Sequence, residues 1–533
     1  MHKLIIPIII VLIIAAGIGG YFAFQKPFAD TNKGGCGDGI CGPKEKRICP
    51  EDCGLIPSKI KCGDGICDEF EKNNSNVCPK DCVQNNQQEQ QQQNQQPTQQ
   101  PATTTQQPSA SQSKSQEQIS QDSPFGFFNP YEILISDPEA TTHSKINDYL
   151  KDLGVKWMQP MPRVKDGISD IDEALKSNVN LYSRALPIGR IERSEKAPYI
   201  GPDYEIKLKE LVKKYKNEIK YWEADTEPSG VSGWGNYPEK YADFLKITYK
   251  AIKEECTDCK IVFGGMVGDF LMISENSKEA KFLDSVLKAG GGKYFDVFEF
   301  KQHHNSIKDY PKLIKNKMEI YGRVLAKYSL DIKTMPVFIE TAVYDGAPED
   351  PFAKLPSQSE KEQARGEIIS YIYAFAQGID KVFRNQIIEN APNKIVKMSG
   401  VFEYYGLINN PSNDGKSHKK LAYYTYKKMT ETLEGSDWNN IQTVQESDGV
   451  YIYKFQKGSK KIWVAWNDNS AEKQITISGI SSIQVKITEA VPKYDSGKDV
   501  TDYLTAFNTE TKSVQGGKII ITLKDKPVFA ETQ

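Results

Sequence analysis

From Pro124 to about Gly435, short apolar runs alternate with longer stretches whose apolar residues recur at helical spacing. The runs predict strands at 125–128, 155–159, 180–186, 219–225, 260–267, 295–302, 335–339 and 381–386. The stretches between them predict amphipathic helices at 142–153, 204–215, 238–254, 279–288, 310–327 and 360–377, and 419–433 closes the series. Strand–helix alternation of this kind makes a parallel sheet with crossover helices. Eight units in ~310 residues match a (β/α)8 barrel better than an open doubly wound sheet. Only the single Gly126 follows the start of the first run, not a glycine-rich phosphate turn, so a nucleotide-binding fold is disfavoured.

After Gly435 the period changes from helical to two. Alternating segments at 449–455, 461–466, 474–477, 484–488 and 518–523 predict short strands between polar turns. The fold class is therefore α/β, a (β/α)8 TIM barrel at 124–435 with a C-terminal β-sandwich at 436–533.

The first 123 residues read differently. Residues 4–24 carry no charge and match the ~20 residues a bilayer-spanning helix needs. Lys3 before them favours an outward-facing C-terminal part. Segment 1–25 is expected to be an uncleaved anchor or a removed signal, and both place the rest outside the cytoplasm. Eight of the ten cysteines fall between Cys36 and Cys82, in two copies of one pattern at 34–83. Cys36-Gly-Asp38-Gly-Ile-Cys41 is followed by Cys49 and Cys53, and Cys62-Gly-Asp64-Gly-Ile-Cys67 by Cys78 and Cys82. Modules this small need covalent staples, and outside the cell disulfides are expected before zinc. Asp38 with Glu45 and Asp64 with Glu71 recur at one offset, as calcium-loop acids or as solvated acids. The copies resemble the CGDGxC modules of prokaryotic surface proteins, which implies a stalk or a cell-surface contact. From 84 to 123 Gln, Ser, Thr and Pro dominate, so a disordered spacer is expected.

A net charge of −2 offers no basic surface, which sets nucleic acid aside as a partner. The candidate chemistry lies in two glutamates. Glu227 closes the run Tyr221-Trp222-Glu223-Ala224-Asp225-Thr226, and Glu340 closes Pro336-Val337-Phe338-Ile339. In a barrel, side chains at the C-terminal ends of strands face the active site. Two carboxylates placed there, one an acid and one a nucleophile, are what retaining glycoside hydrolysis requires. Crowded acids and partial burial are expected to raise the pKa of Glu227, as a general acid needs. The alternative for each is a strand-end or loop acid without chemistry. No metal or organic cofactor is needed. His303 and His304 are adjacent but have no ligand partners at suitable spacing, so a sugar contact or a core hydrogen bond remains open for them. Trp234 and Tyr344 lie in loops after the fourth and seventh strands, where they would stack on sugar or simply pack. Cys256 and Cys259 are expected to form a local disulfide.

Over roughly 124–533 the chain resembles the clan A glycoside hydrolases, particularly the β-xylosidase-like branch that joins a barrel to a β-sandwich. The motif Trp-Glu-x-x-Asn-Glu-Pro is matched by Trp222, Glu223, Glu227 and Pro228, and the nucleophile motif by Phe338-Ile339-Glu340-Thr341. The resemblance implies Glu227 as acid/base, Glu340 as nucleophile, and an oligo- or polysaccharide substrate. It departs at three places. Thr226 replaces the asparagine that binds the sugar 2-hydroxyl, and Gln159 stands where the second-strand arginine is usual. The sixth-strand pattern reads Asp296…Lys301-Gln302-His303-His304, with its histidine displaced. These departures leave a second reading, a catalytically lapsed barrel that binds surface glycans or acts as an adhesin.

Overall fold

The structure, a computed structural model, describes residues 123–137, 139–165, 167–186, 191–192, 199–230, 233–267, 272–303, 309–347, 355–390 and 403–533. The expected anchor, both cysteine repeats, the spacer and His304 lie outside the described residues. Among the described residues no helix is long and apolar enough to cross a membrane.

Eight parallel strands form where the apolar runs fall: β1 Phe125–Phe128, β2 Trp157–Gln159, β3 Asn180–Arg184, β4 Ile219–Glu223, β5 Lys260–Val262, β6 Phe298–His303, β7 Val337–Ala342 and β8 Lys381–Arg384. Their order is β6-β7-β8-β1-β2-β3-β4-β5. The remaining edge is closed by bridges pairing Val262 with Val297 and Met266 with Phe300. Met266 N donates to Glu299 O at 3.1 Å and Lys301 N to Met266 O at 3.0 Å. The sheet is a barrel.

A helix follows every strand: α1 His143–Asp152, α2 Asp170–Leu175, α3 Tyr204–Tyr215, α4 Pro238–Glu255, α5 Lys278–Lys288, α6 Tyr310–Ala326, α7 Glu360–Ala376 and α8 Leu421–Leu433. The helical spacing does not reveal α2, which is one and a half turns long and half acidic. It forms because the Ser169 hydroxyl caps Asp172 N at 3.2 Å and three acids sit in the first turn, against the helix dipole.

Inside the barrel Trp157, Tyr182, Val262, Val297, Phe338 and Phe383 pack with Phe128 and Tyr221. A methyl group on Gly126 would lie 2.6 Å from the Phe383 ring, so this strand position has room only for hydrogen. The aromatic layer is a floor, and polar side chains stand above it at the C-terminal strand ends.

The C-terminal part is the expected sandwich. Strands β9 Gln442–Ser447, β10 Val450–Lys457, β11 Lys460–Asn467, β12 Lys473–Ser478, β13 Gln484–Glu489, β14 Thr509–Ser513, β15 Lys518–Leu523 and β16 Val528–Thr532 make two antiparallel sheets, β9-β10-β11-β16-β13-β14 and β12-β15. Ile475, Ile477, Ile519 and Ile521 of the small sheet share one core with Ile452, Trp463, Val485 and Ile487 of the large one. The other face of the large sheet packs on the barrel through α7, which is buried along almost its whole length. Tyr373 of α7 meets the rings of Tyr451 and Tyr453, and Arg365 binds Asp468 at 2.5 Å. Three of these strands, β9, β14 and β16, are not signalled by alternation. The first two are polar, mostly exposed edges.

Candidate active site

The last inward-facing residues of the strands meet above the aromatic floor. Strand register sets the neighbours: Arg184 lies beside Glu223, and Lys301 beside Glu340. Side chains opposite each other on one face of a sheet interact directly. Arg184 Nε reaches Glu223 Oε2 at 3.0 Å, and Gln159 Nε2 donates to the same oxygen at 2.9 Å. Gln159 therefore acts as a neutral donor where the motif has arginine, and β3 carries the guanidinium instead. The inward alternation of Tyr182 and Arg184 was the signal for it.

Glu340 is fully buried on β7. Lys301 Nζ lies 2.6 Å from its Oε2, Asn385 Nδ2 donates to Oε1 at 2.8 Å, and His303 Nε2 is 3.4 Å from Oε1. Burial opposes its ionisation. Lys301 and His303 outweigh that and hold its pKa down to about 2. Glu340 is thus an ionised, anchored carboxylate, the state a nucleophile needs.

Glu227 is placed differently from the expectation. β4 ends at Glu223, and Glu227 stands four residues on, in a turn closed by Gly230 N to Glu227 O at 3.0 Å. Its φ of 52° is in the left-handed region, a conformation that costs a non-glycine residue on the order of 1–2 kcal/mol. Its carboxylate still reaches the centre, where Lys301 Nζ donates to Oε1 at 3.0 Å. One ammonium therefore holds both glutamates. Contacts of 3.0 and 2.6 Å to one nitrogen keep an oxygen of each glutamate within about 5.6 Å of the other, so the two carboxylates line one site.

The expected rise in the Glu227 pKa is corrected. The Lys301 charge lowers it, and burial and Glu340 do not compensate. The raised carboxyl in this layer is Glu299, pushed well above the usual range by burial and by the Glu223 charge; Tyr182 donates to it.

Two aromatic assignments are also corrected. Trp234 is 1% exposed, donates from Nε1 to Asp225 Oδ2 at 2.9 Å, and stacks on Phe244. Tyr344 is fully buried and donates to Pro356 O at 2.9 Å. Both loops fold back onto the core, so neither ring offers a face to sugar. Thr226 is almost buried beside Glu227. His303 sits under Tyr405, 5.4 Å between rings. Asn385, unremarked in the sequence, lies two residues past Phe383 on the same inward face. Far from this centre, Cys256 and Cys259 form the expected disulfide.

Comparison with known proteins adds the fold's relatives. The monomeric β-xylosidase of Caulobacter crescentus CB15 superposes with a TM-score of 0.50 at 13% identity, covering 78% of this chain and 96% of that one. The α-L-arabinofuranosidase of Thermotoga maritima gives 0.52 at 10% identity, covering 78% and 97%. A conserved exported protein of Bacteroides fragilis gives 0.51 at 11%, covering 76% and 97%. What these share with the chain is the fold. A family model described as RET, Cysteine Rich Domain matches residues 54–114, which take in the second cysteine repeat and much of the spacer. No curated protein matches the chain.

Proposed function

We propose that the chain is a retaining glycoside hydrolase that cleaves O-glycosidic bonds of β-linked glycans outside the cytoplasm. Segment 1–25 would tether it to the membrane and 84–123 give it reach. The observation that carries the reading is the single ammonium of Lys301 shared by Glu227 and Glu340. That arrangement gathers the two carboxylates at the C-terminal face of a barrel, and their closeness supports a retaining pair over the wider spacing of an inverting one. The fold, found also in a β-xylosidase and an α-L-arabinofuranosidase, agrees with this class of substrate.

In the first step a Glu340 oxygen bonds to the anomeric carbon while the bond to the leaving oxygen breaks. Protonated Glu227 gives its proton to that oxygen. In the second step water attacks the anomeric carbon, passes its proton to Glu227, and the ester bond to Glu340 breaks. Arg184, Gln159 and Glu223 hold the wall beside the pair, and Asn385 and His303 fix the nucleophile's orientation.

The Lys301 bridge also favours a second reading, a barrel that binds glycans without cleaving them, because it withdraws the proton from Glu227. A panel of aryl β-glycosides, assayed from pH 3 to 8 with wild type, Glu227→Gln and Glu340→Gln, separates the two. Sugar release lost in Glu340→Gln supports hydrolysis. Release that continues at the wild-type rate in Glu340→Gln removes the assigned nucleophile, and glycan binding with no release by any variant selects the second reading.

A further inference from the structure

Lys301 is built into the site rather than resting in it. Its side chain is 5% exposed, and its stem runs along Gly265, where an added Cβ would stand 3.1 Å from Cε and 3.2 Å from Cγ. Its ammonium lies 4.8 Å from the centre of the Phe128 ring, within cation–π range. The backbone on either side is pinned, since Lys301 N donates to Met266 O and Lys317 Nζ donates to Lys301 O at 2.8 Å. The adjoining Gly264 takes φ +106°, where a Cβ would strike Asp225 O at 1.9 Å, so the segment after β5 is pressed against the end of β4 while Gly265 leaves room for the lysine stem. Three separate features therefore hold one cation between two carboxylates.

We propose that Lys301 is a positioning residue that keeps Glu227 deprotonated in the resting site and so confines hydrolysis to acidic solution. This rests on the retaining reading above. The charged groups facing Glu227 are Lys301 from β6, Glu340 from β7 and Arg184 from β3. Lys301 also faces Glu299 on its own strand. Of these, Lys301 alone hydrogen-bonds Glu227. A cation at this distance lowers a carboxyl pKa by about 1–3 units. Glu227 must hold a proton to act as acid, so the alkaline limb of kcat/KM lies below the ordinary carboxylate range. Removing the ammonium leaves Glu227 facing Glu340, and the limb moves up.

The test uses the full chain. The pH dependence of kcat/KM on aryl β-glycosides is measured for wild type, Lys301→Met and Lys301→Arg. Beside it, the pH dependence of carbodiimide–amine labelling of Glu227, which needs the protonated carboxyl, is read by peptide mass spectrometry without substrate. Lys301→Met is expected to raise both midpoints by about 1–3 units, with Lys301→Arg close to wild type. Should Lys301→Met not fold, Gly265→Ala, which crowds the lysine stem, is expected to shift the labelling midpoint in the same direction. Unchanged midpoints in the variants, or a wild-type limb at neutral pH, overturn the proposal. If wild type releases no sugar, hydrolysis fails as the function, and the labelling midpoints still decide whether Lys301 controls the Glu227 proton.

Discussion

Arg184→Met is the most informative perturbation of the site's wall. The change keeps the aliphatic stem and removes the guanidinium that meets Glu223 at 3.0 Å, in a pair whose side chains are 11% and 0% exposed. Removing one partner of a buried ion pair costs about 3–5 kcal/mol, because the remaining charge stays desolvated. Glu223 keeps two donors, Gln159 Nε2 at 2.9 Å and the longer Gly265 N at 3.4 Å. The loss therefore falls near the lower end, about 3 kcal/mol. The assay is urea unfolding followed by tryptophan fluorescence, with the slope compared to confirm that only the midpoint moves. Arg184→Met combined with Glu223→Gln carries no buried charge at this position and is expected to recover at least about 1 kcal/mol of that loss. A single variant within about 1 kcal/mol of wild type, or a double variant no more stable than the single, would refute the view that a buried ion pair props this wall.

Other consequences can be measured with the same methods. Glu340 has a pKa near 2 in the folded chain, below its value when unfolded, so its ionisation stabilises the fold above the unfolded value, and that contribution is lost as pH falls from about 4.5 to 2. The loss is on the order of 3 kcal/mol and should be missing from Glu340→Gln; parallel pH–stability curves would contradict it. Trp234→Phe removes a buried hydrogen bond to Asp225 and should cost about 1–3 kcal/mol in urea unfolding while leaving KM for small glycosides unchanged, whereas a stacking platform would raise KM. Gly126→Ala forces a methyl group against the Phe383 ring and should destabilise by about 1–3 kcal/mol, with Phe383→Leu in the same chain restoring part of the loss.

The strands that pack on both faces were legible from their apolar runs, and so were the five sandwich strands with a regular alternation. What escaped was what other forces shape. α2 depends on a serine cap and acidic first turn rather than on an apolar stripe. The edge strands β9 and β14 bury little and carry no periodic signal. At the site Glu340 was readable because it closes an apolar run, and Glu227 because it follows the Trp222-Glu223 strand end and precedes Pro228. Their environment was not, because it is made by register between strands far apart in sequence. Lys301 read as a departure from a motif, yet its cross-strand position beside Glu340 makes it the centre of the polar layer. Trp234 and Tyr344 showed the converse limit, since an aromatic residue in a loop does not disclose whether the loop turns outward or folds onto the core.

The central claim is that Glu340 forms a covalent bond to the sugar. An activated 2-deoxy-2-fluoro-β-glycoside, which slows release of the glycosyl ester, should inactivate the protein in acidic solution and add one sugar mass to the peptide containing Glu340. Labelling of another residue, or turnover of glycosides with no sugar ever held on Glu340, would contradict the account.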